Sequence, residues 1–292
     1  MSLIFTEQLD KPSELRSKPS NLLRPIFGAL YGFDSTSSAP SVPLLVGEQD
    51  VIDLAPSFWV DASYANAVKS VDSGSEANAT DGQDVNKWVS RVGSGVELAQ
   101  STASKRPIFN SSNSDFGDYS TITFDHTADT ALFQNASYLG SSGTGGTIFY
   151  VAKELGGDAN SRIISWGVGN NSNLGHNYSN VAFYVYKPLI GYGGSGSANT
   201  IELSPYMAAI VLDGSSSYFT INEGTDVTFS MDSGNSFPSV NPITSVGGYN
   251  GATENSSTVA AEYILFDSAL SASDVAKVEN YLNNKYTGGS GF

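Results

Sequence analysis

The sequence predicts an all-β sandwich closed by a single C-terminal helix, and three observations predict it. Short apolar runs rich in β-branched and aromatic residues recur along the chain, spaced by turn residues. Charged residues make up only 15% while Gly, Ser, Asn and Thr are abundant, a balance that suits strands and turns better than long charged helices. One capped amphipathic stretch stands alone near the C terminus. With 292 residues and 40% hydrophobic content, the chain can bury a large core.

Residues 1–55 read differently from the rest. Pro12, Pro19, Pro25, Pro40 and Pro43 fall within them and Pro56 sits at the boundary, so the segment cannot be one regular element. It is expected to be an extended N-terminal docking arm with a short helix near 25–31, Pro25 at its first position and Gly32 just past its end. Lys11, Arg16, Lys18 and Arg24 against Glu7, Asp10 and Glu14 leave residues 1–33 at +1, so the remainder carries −16 of the overall −15. Residues 35–41 read as a flexible linker.

From residue 56 to 292 the pattern is that of a sandwich. The clearest strands are expected at 58–60, 121–124, 147–152, 162–166, 181–186, 207–212, 218–221 and 261–266, with Gly-rich turns at 143–146 and 191–196. Trp59, Trp88 and Trp166 lie within or beside these runs and are expected in the core. A helix is expected over 272–286. Ser271 caps it, Asp274 follows three residues later, and Val275, Val278, Leu282 and Tyr286 form its apolar stripe.

Composition excludes several functions. A net charge of −15 and a pI near 4.3 leave no clustered Lys and Arg to replace the counterions of a nucleic acid, and the same acidity disfavours anionic membranes. No apolar stretch approaches membrane-spanning length, and Met1 to Phe5 offers too few apolar residues for a signal peptide, so no membrane insertion is expected. The absence of cysteine removes disulfides, thiolate metal sites and cysteine nucleophiles. Six Asn-x-Ser/Thr sequons, at Asn78, Asn110, Asn135, Asn170, Asn177 and Asn255, are what an Asn- and Ser-rich chain produces by chance.

A family resemblance enters on specific residues. Phe58-Trp59-Val60-Asp61-Ala62-Ser63, then Asn86-Lys87-Trp88-Val89-Ser90-Arg91-Val92-Gly93-Ser94-Gly95, then Lys105-Arg106-Pro107-Ile108 resembles the opening of concanavalin A-like, laminin-G-like domains. Ile122-Thr123-Phe124-Asp125 resembles the family's Phe-Asp before an exposed loop, and 147–151 its next core strand. The most specific likeness is C-terminal, where 261–271 followed by 279–286 resembles the last strand, its turn and the terminal helix. The resemblance implies a concanavalin A-like jelly-roll β-sandwich with one C-terminal helix. The family spans lectin-like binders, adhesion modules, viral structural proteins and some glycosidases, so membership does not choose a function.

No catalytic set is expected. Glu48-Gln49-Asp50-Val51-Ile52-Asp53 imitates the Glu-x-Asp-x-x-Glu of glycosidases on this fold, but it ends in Asp and precedes the sandwich. The histidines, His126 and His176, have no nucleophile setting and no His-x-x-x-His spacing, so neither a serine-type site nor zinc is expected. No cofactor is expected; calcium, which the resemblance admits, would use 72–76 or 81–84, although neither matches an EF-hand loop.

Two binding surfaces remain. Phe5, Leu22, Leu23, Ile26, Phe27, Leu30, Tyr31 and Phe33 are expected to anchor the arm on a partner. His176, Asn177 and Tyr178, in a polar loop over 170–180, are candidates for glycan contact. On these grounds the expectation is a non-enzymatic virion structural protein, a bacteriophage capsid decoration or tail-associated protein in a homo- or hetero-oligomeric assembly with other virion proteins. Carbohydrate binding to host surface glycans, with the protein extracellular or on a cell surface by a non-classical route, is the second expectation, and a glycoside hydrolase the third.

Overall fold

In the computed structural model the described residues are 44–72, 74–93, 96–134, 145–157, 161–167, 173–178, 181–187, 191–194, 204–229, 243–248 and 255–292, with backbone alone at 72, 157, 161, 166–167, 173–194 and 243. The chain divides into two compact units, Met1–Val42 and Pro43–Phe292. The helix expected near 25–31, the linker at 35–41 and the eight arm anchors all lie outside the described residues.

The second unit begins with helix α1 (Glu48–Asp53). Its first strands are β1 (Phe58–Asp61), β2 (Val68–Asp72), β3 (Ser75–Asn78), β4 (Lys87–Val89), β5 (Glu97–Ala99) and β6 (Ile108–Asn113). The middle of the unit supplies β7 (Tyr119–Phe124), β8 (Leu132–Gln134), β9 (Gly146–Gly157), β10 (Ser161–Gly167), β11 (Asn173–Tyr178), β12 (Val181–Lys187) and β13 (Gly191–Gly194). It ends with β14 (Tyr206–Leu212), β15 (Ser217–Ile221), β16 (Val227–Phe229), β17 (Ile243–Val246), β18 (Ser256–Phe266) and helix α2 (Ala272–Thr287).

Two antiparallel sheets result, an all-β fold with one long C-terminal helix, as the sequence predicts. The first runs β16-β15-β14-β9-β18-β7-β6, with β1 sharing the second edge of β18. The second runs β13-β12-β11-β10-β17-β8-β5-β4-β2-β3. Each of the eight expected runs lies in a strand. Two stretches expected as turn or loop are strands instead: 191–194 forms β13 against β12, and 173–178 forms β11 between β10 and β12. Cross-strand pairing overrides the Gly and Asn content that reads as a turn locally.

The core lies between the sheets. Phe58, Val60, Tyr150, Ile210 and Tyr263 from the first sheet meet Trp88, Leu98, Leu132, Ile164 and Val246 from the second, every one of them buried. Successive residues of a strand point to opposite faces, so Trp59, Phe149, Val151, Met207 and Ile264 face outward from the first sheet. There they form a second apolar layer with Val51 of α1 and Val275, Val278, Leu282 and Tyr286 of α2. The stripe read from the sequence is therefore the buried face of α2. Ser271 caps this helix by accepting from the Asp274 N–H, and Gly288 ends it in the left-handed conformation.

A bulge in β18 decides what lies beneath the helix. Register shifts between Ala260 and Glu262, so Glu262 turns onto the helix-covered face opposite Asp61. Glu262 is 1% exposed and receives Trp59 Nε1 and Tyr281 Oη at Oε1, and Lys285 Nζ and Tyr286 Oη at Oε2. Lys285 Nζ also lies 2.7 Å from Asp61 Oδ2, and Arg91 bridges Asp61 to Glu48. The Arg91 guanidinium carbon lies over two rings, 4.0 Å from the centre of Trp59 and 4.3 Å from that of Tyr64. Three carboxylates and two cations are thus enclosed. Glu48, first of the residues that imitate a glycosidase strand, is committed here as a partner of Arg91 on a helix.

Candidate functional site

One cluster of polar side chains lies where the two sheets meet. Arg162 of β10 makes an isolated backbone bridge to Asn255, the residue before β18. Over that junction folds the loop 125–130, placed by β7 and closed on itself. Asp125 Oδ1 accepts from the N–H and hydroxyl of Thr127, and the Thr130 hydroxyl bonds the Asp125 amide. The two Thr127 hydrogen bonds hold the Asp125 carboxyl below its usual range, so it is ionised at neutral pH.

Side chains then link the loop to β18. His126 Nδ1 meets Ser257 Oγ at 2.6 Å. Asp129 accepts from Asn255 Nδ2 at 2.9 Å and pairs with Lys105 at 3.8 Å. Asn255 is fully buried, and its Oδ1 has no hydrogen-bond partner. Space for this amide comes from Gly248, where a Cβ would collide with it; the neighbouring Gly247 is required for another reason, its φ of +86° and its close approach to the Phe124 ring.

Behind Asn255 the polar character continues inward. Ser256 and Thr258 turn into the sandwich and donate to Glu154 Oε2 and Oε1 at 2.7 and 3.0 Å, and Tyr206 Oη completes Oε1 at 2.8 Å. Burial first, and the Glu154 charge second, push the phenols of Tyr206 and Tyr150 well above their usual range, so both stay protonated as donors. The result is a seam from exposed Asp125 through Asn255 to a carboxylate saturated by hydroxyls. Its outer part can accept hydroxyl donors, and its inner part holds the strands in place.

Of the residues expected to contact a glycan, the structure describes the backbone alone. His176, Asn177 and Tyr178 have their backbone on β11, with His176 opposite Phe183 and Tyr178 opposite Val181, and their side chains lie outside the described residues. The described residues of the 72–76 and 81–84 segments are placed by strand pairing and by a loop contact. Ser75–Asn78 pairs as β3, Asp81 accepts from Ser111, and among the described residues no group of three or more His, Asp or Glu could hold a metal ion. Sequence reading missed Asp129, Glu154 and Asn255. The available signal for Glu154 was a carboxylate continuing the inward Ile148, Tyr150, Ala152 alternation, where a polar residue demands partners.

Comparison with known proteins bears on the fold. No family model matches the chain, and no curated protein does. Among solved structures, a GH54 α-L-arabinofuranosidase soaked with a cyclic sulfate inhibitor shares 9% identity at a TM-score of 0.57, over 82% of this chain and 65% of that one. An arabinofuranosidase complexed with arabinofuranosyl-α-1,2-xylobiose gives 9% and 0.57, over 79% and 63%. A Trypanosoma rangeli sialidase aligns at 0.44 with 11% identity, over 78% of this chain and 32% of its own. The likeness shows the fold alone. The chain is a β-sandwich compatible with the lectin- and glucanase-like class, and it spans about a third of the sialidase and just under two thirds of the arabinofuranosidases. The expectation of a non-enzymatic virion protein is corrected at this point. The arabinofuranosidases that share its architecture are enzymes and not virion proteins, so the fold gives no ground for a display role.

Proposed function

We propose that the sandwich is a carbohydrate-active domain of the glycoside-hydrolase type, with the glycan lying along the rim formed by residues 125–130 and 255–258. Asp129 carries this reading. A carboxylate that solvent reaches, fixed in place by the buried Asn255 amide at 2.9 Å, suits a ligand that presents several hydroxyl donors. Asp125 supplies an ionised carboxylate beside it, and hydrolysis of a glycoside uses a pair of such groups flanking the bond. The architecture shared with arabinofuranosidases supports the substrate class.

The experiment is a panel of arabinan, arabinoxylan, other plant polysaccharides and sialylated glycans, scored for binding by calorimetry and for release of reducing sugar. The reading expects at least one ligand, with affinity reduced roughly tenfold or more in Asp129→Ala. Absence of both binding and release across the panel contradicts it.

A further inference from the structure

Lys285, Asp61 and Glu262 form a constellation for which the glycan reading has no use. Lys285 Nζ lies 2.7 Å from Asp61 Oδ2 and 2.7 Å from Glu262 Oε2, and the three side chains are at most 4% exposed. Asp61 and Glu262 are register partners on β1 and β18, while Lys285 descends from α2. Aromatic rings shut the site from water, with Lys285 Nζ 4.9 Å from the Tyr286 ring centre and 5.4 Å from that of Tyr119.

We infer that Lys285 and Asp61 join in an intramolecular amide bond, formed without any added reagent, with Glu262 relaying the proton. Glu262 Oε2 takes one proton from the Lys285 ammonium, and the freed lone pair attacks Asp61 Cγ. Oxyanion character is met by two donors already in place, the Ser63 N–H at 2.9 Å from Oδ1 and Arg91 Nη1 at 3.2 Å from Oδ2. Glu262 returns its proton to the departing oxygen, which leaves with a second Nζ proton as water. An ammonium and a carboxylate thus become one amide and one water, Glu262 is regenerated, and no charge is left over.

Contact, desolvation and proton affinity all favour the step. Fixed contact between nucleophile and carboxylate replaces a bimolecular encounter with an internal one. In water, condensation is opposed by the solvation of both ions, but here that solvation is already lost, and the neutral amide removes a desolvated pair from the interior. Burial also raises the proton affinity of Glu262 despite Lys285, which suits it to hold a proton in transit. The bond would tie the end of α2 to β1, closing nearly the whole sandwich into one covalent ring.

Intact mass spectrometry of the full-length protein under denaturing conditions tests this. The expected mass is below the sequence value by one water, with a branched tryptic peptide joining the Asp61 and Lys285 stretches. Lys285→Arg, which keeps the charge without the primary amine, should return the full mass, and Glu262→Gln should leave the unlinked form dominant. A wild-type protein at full sequence mass overturns the inference. So does loss of water without the branched peptide, which marks dehydration of an aspartate alone. The wild-type mass is read by itself, so a variant that fails to fold leaves the outcome decided.

Discussion

Asp61 and Glu262 stand opposite each other across β1 and β18, two carboxylates on one covered face, and the ammonium of Lys285 contacts both at 2.7 Å. Burial opposes the charge on Lys285, but Asp61 and Glu262 override it and hold the ammonium above the usual lysine range. That is the state before any amide forms; with or without the bond, losing the lysine leaves the carboxylates of Asp61 and Glu262 facing each other out of water. Lys285→Met should therefore cost at least about 3–5 kcal/mol in urea unfolding, the range for leaving a buried charge without its partner. A loss below about 1 kcal/mol would show that the pair behaves as a surface one.

A second carboxyl, Glu279 on α2, gives the protein a pH dependence. Burial, then Glu223, then Asp226 push it up to about 7 from an ordinary value of 4.5. Because the folded value is the higher one, the folded state binds the proton more tightly, and stability falls as pH rises from about 4.5 to 7 and levels off above. Glu279→Gln should flatten this slope and stabilise the protein at about pH 8 by about 1 kcal/mol, allowing for solvent screening of a partly exposed group. Melting curves across this range measure it.

The cap of α2 is separable from its packing. Ser271→Ala removes the acceptor for the Asp274 N–H without touching the buried face, so it should cost about 1 kcal/mol. Chemical denaturation with an unchanged m-value checks that only the helix end is affected.

Inside the seam, Tyr206→Phe deletes one donor to the Glu154 carboxylate and keeps the ring. The loss should be about 1.5–3 kcal/mol, as for a hydrogen bond to a charged group. Glycan affinity should stay within about twofold, because the lost hydroxyl lies behind Asn255. Parallel calorimetry and denaturation on this variant distinguish support from contact.

Much of the fold was legible because strands and the helix declare themselves by period. Val275, Val278, Leu282 and Tyr286 lie one turn apart, and Phe58 to Val60 or Thr147 to Ala152 are runs with flanking turns. The site was not legible, because its residues come from three places that only pairing brings together: Asp129 from a loop, Asn255 from the start of β18, Glu154 from the end of β9. Glu262 is harder still. In sequence it sits within an apolar run, and only the bulge after Ala260 turns it to the helix side instead of into the sandwich. Helix α1 was hidden by its surroundings, a short polar stretch between prolines that becomes helical by packing on α2, with Gly47 close against Tyr281.

The rim assignment is tested most directly by amide hydrogen exchange of the full-length protein with and without a glycan that binds it. Protection should concentrate at residues 125–130 and 255–258 and be lost in Asp129→Ala. Protection confined to β11 and β12, with the rim unchanged, would contradict the assignment.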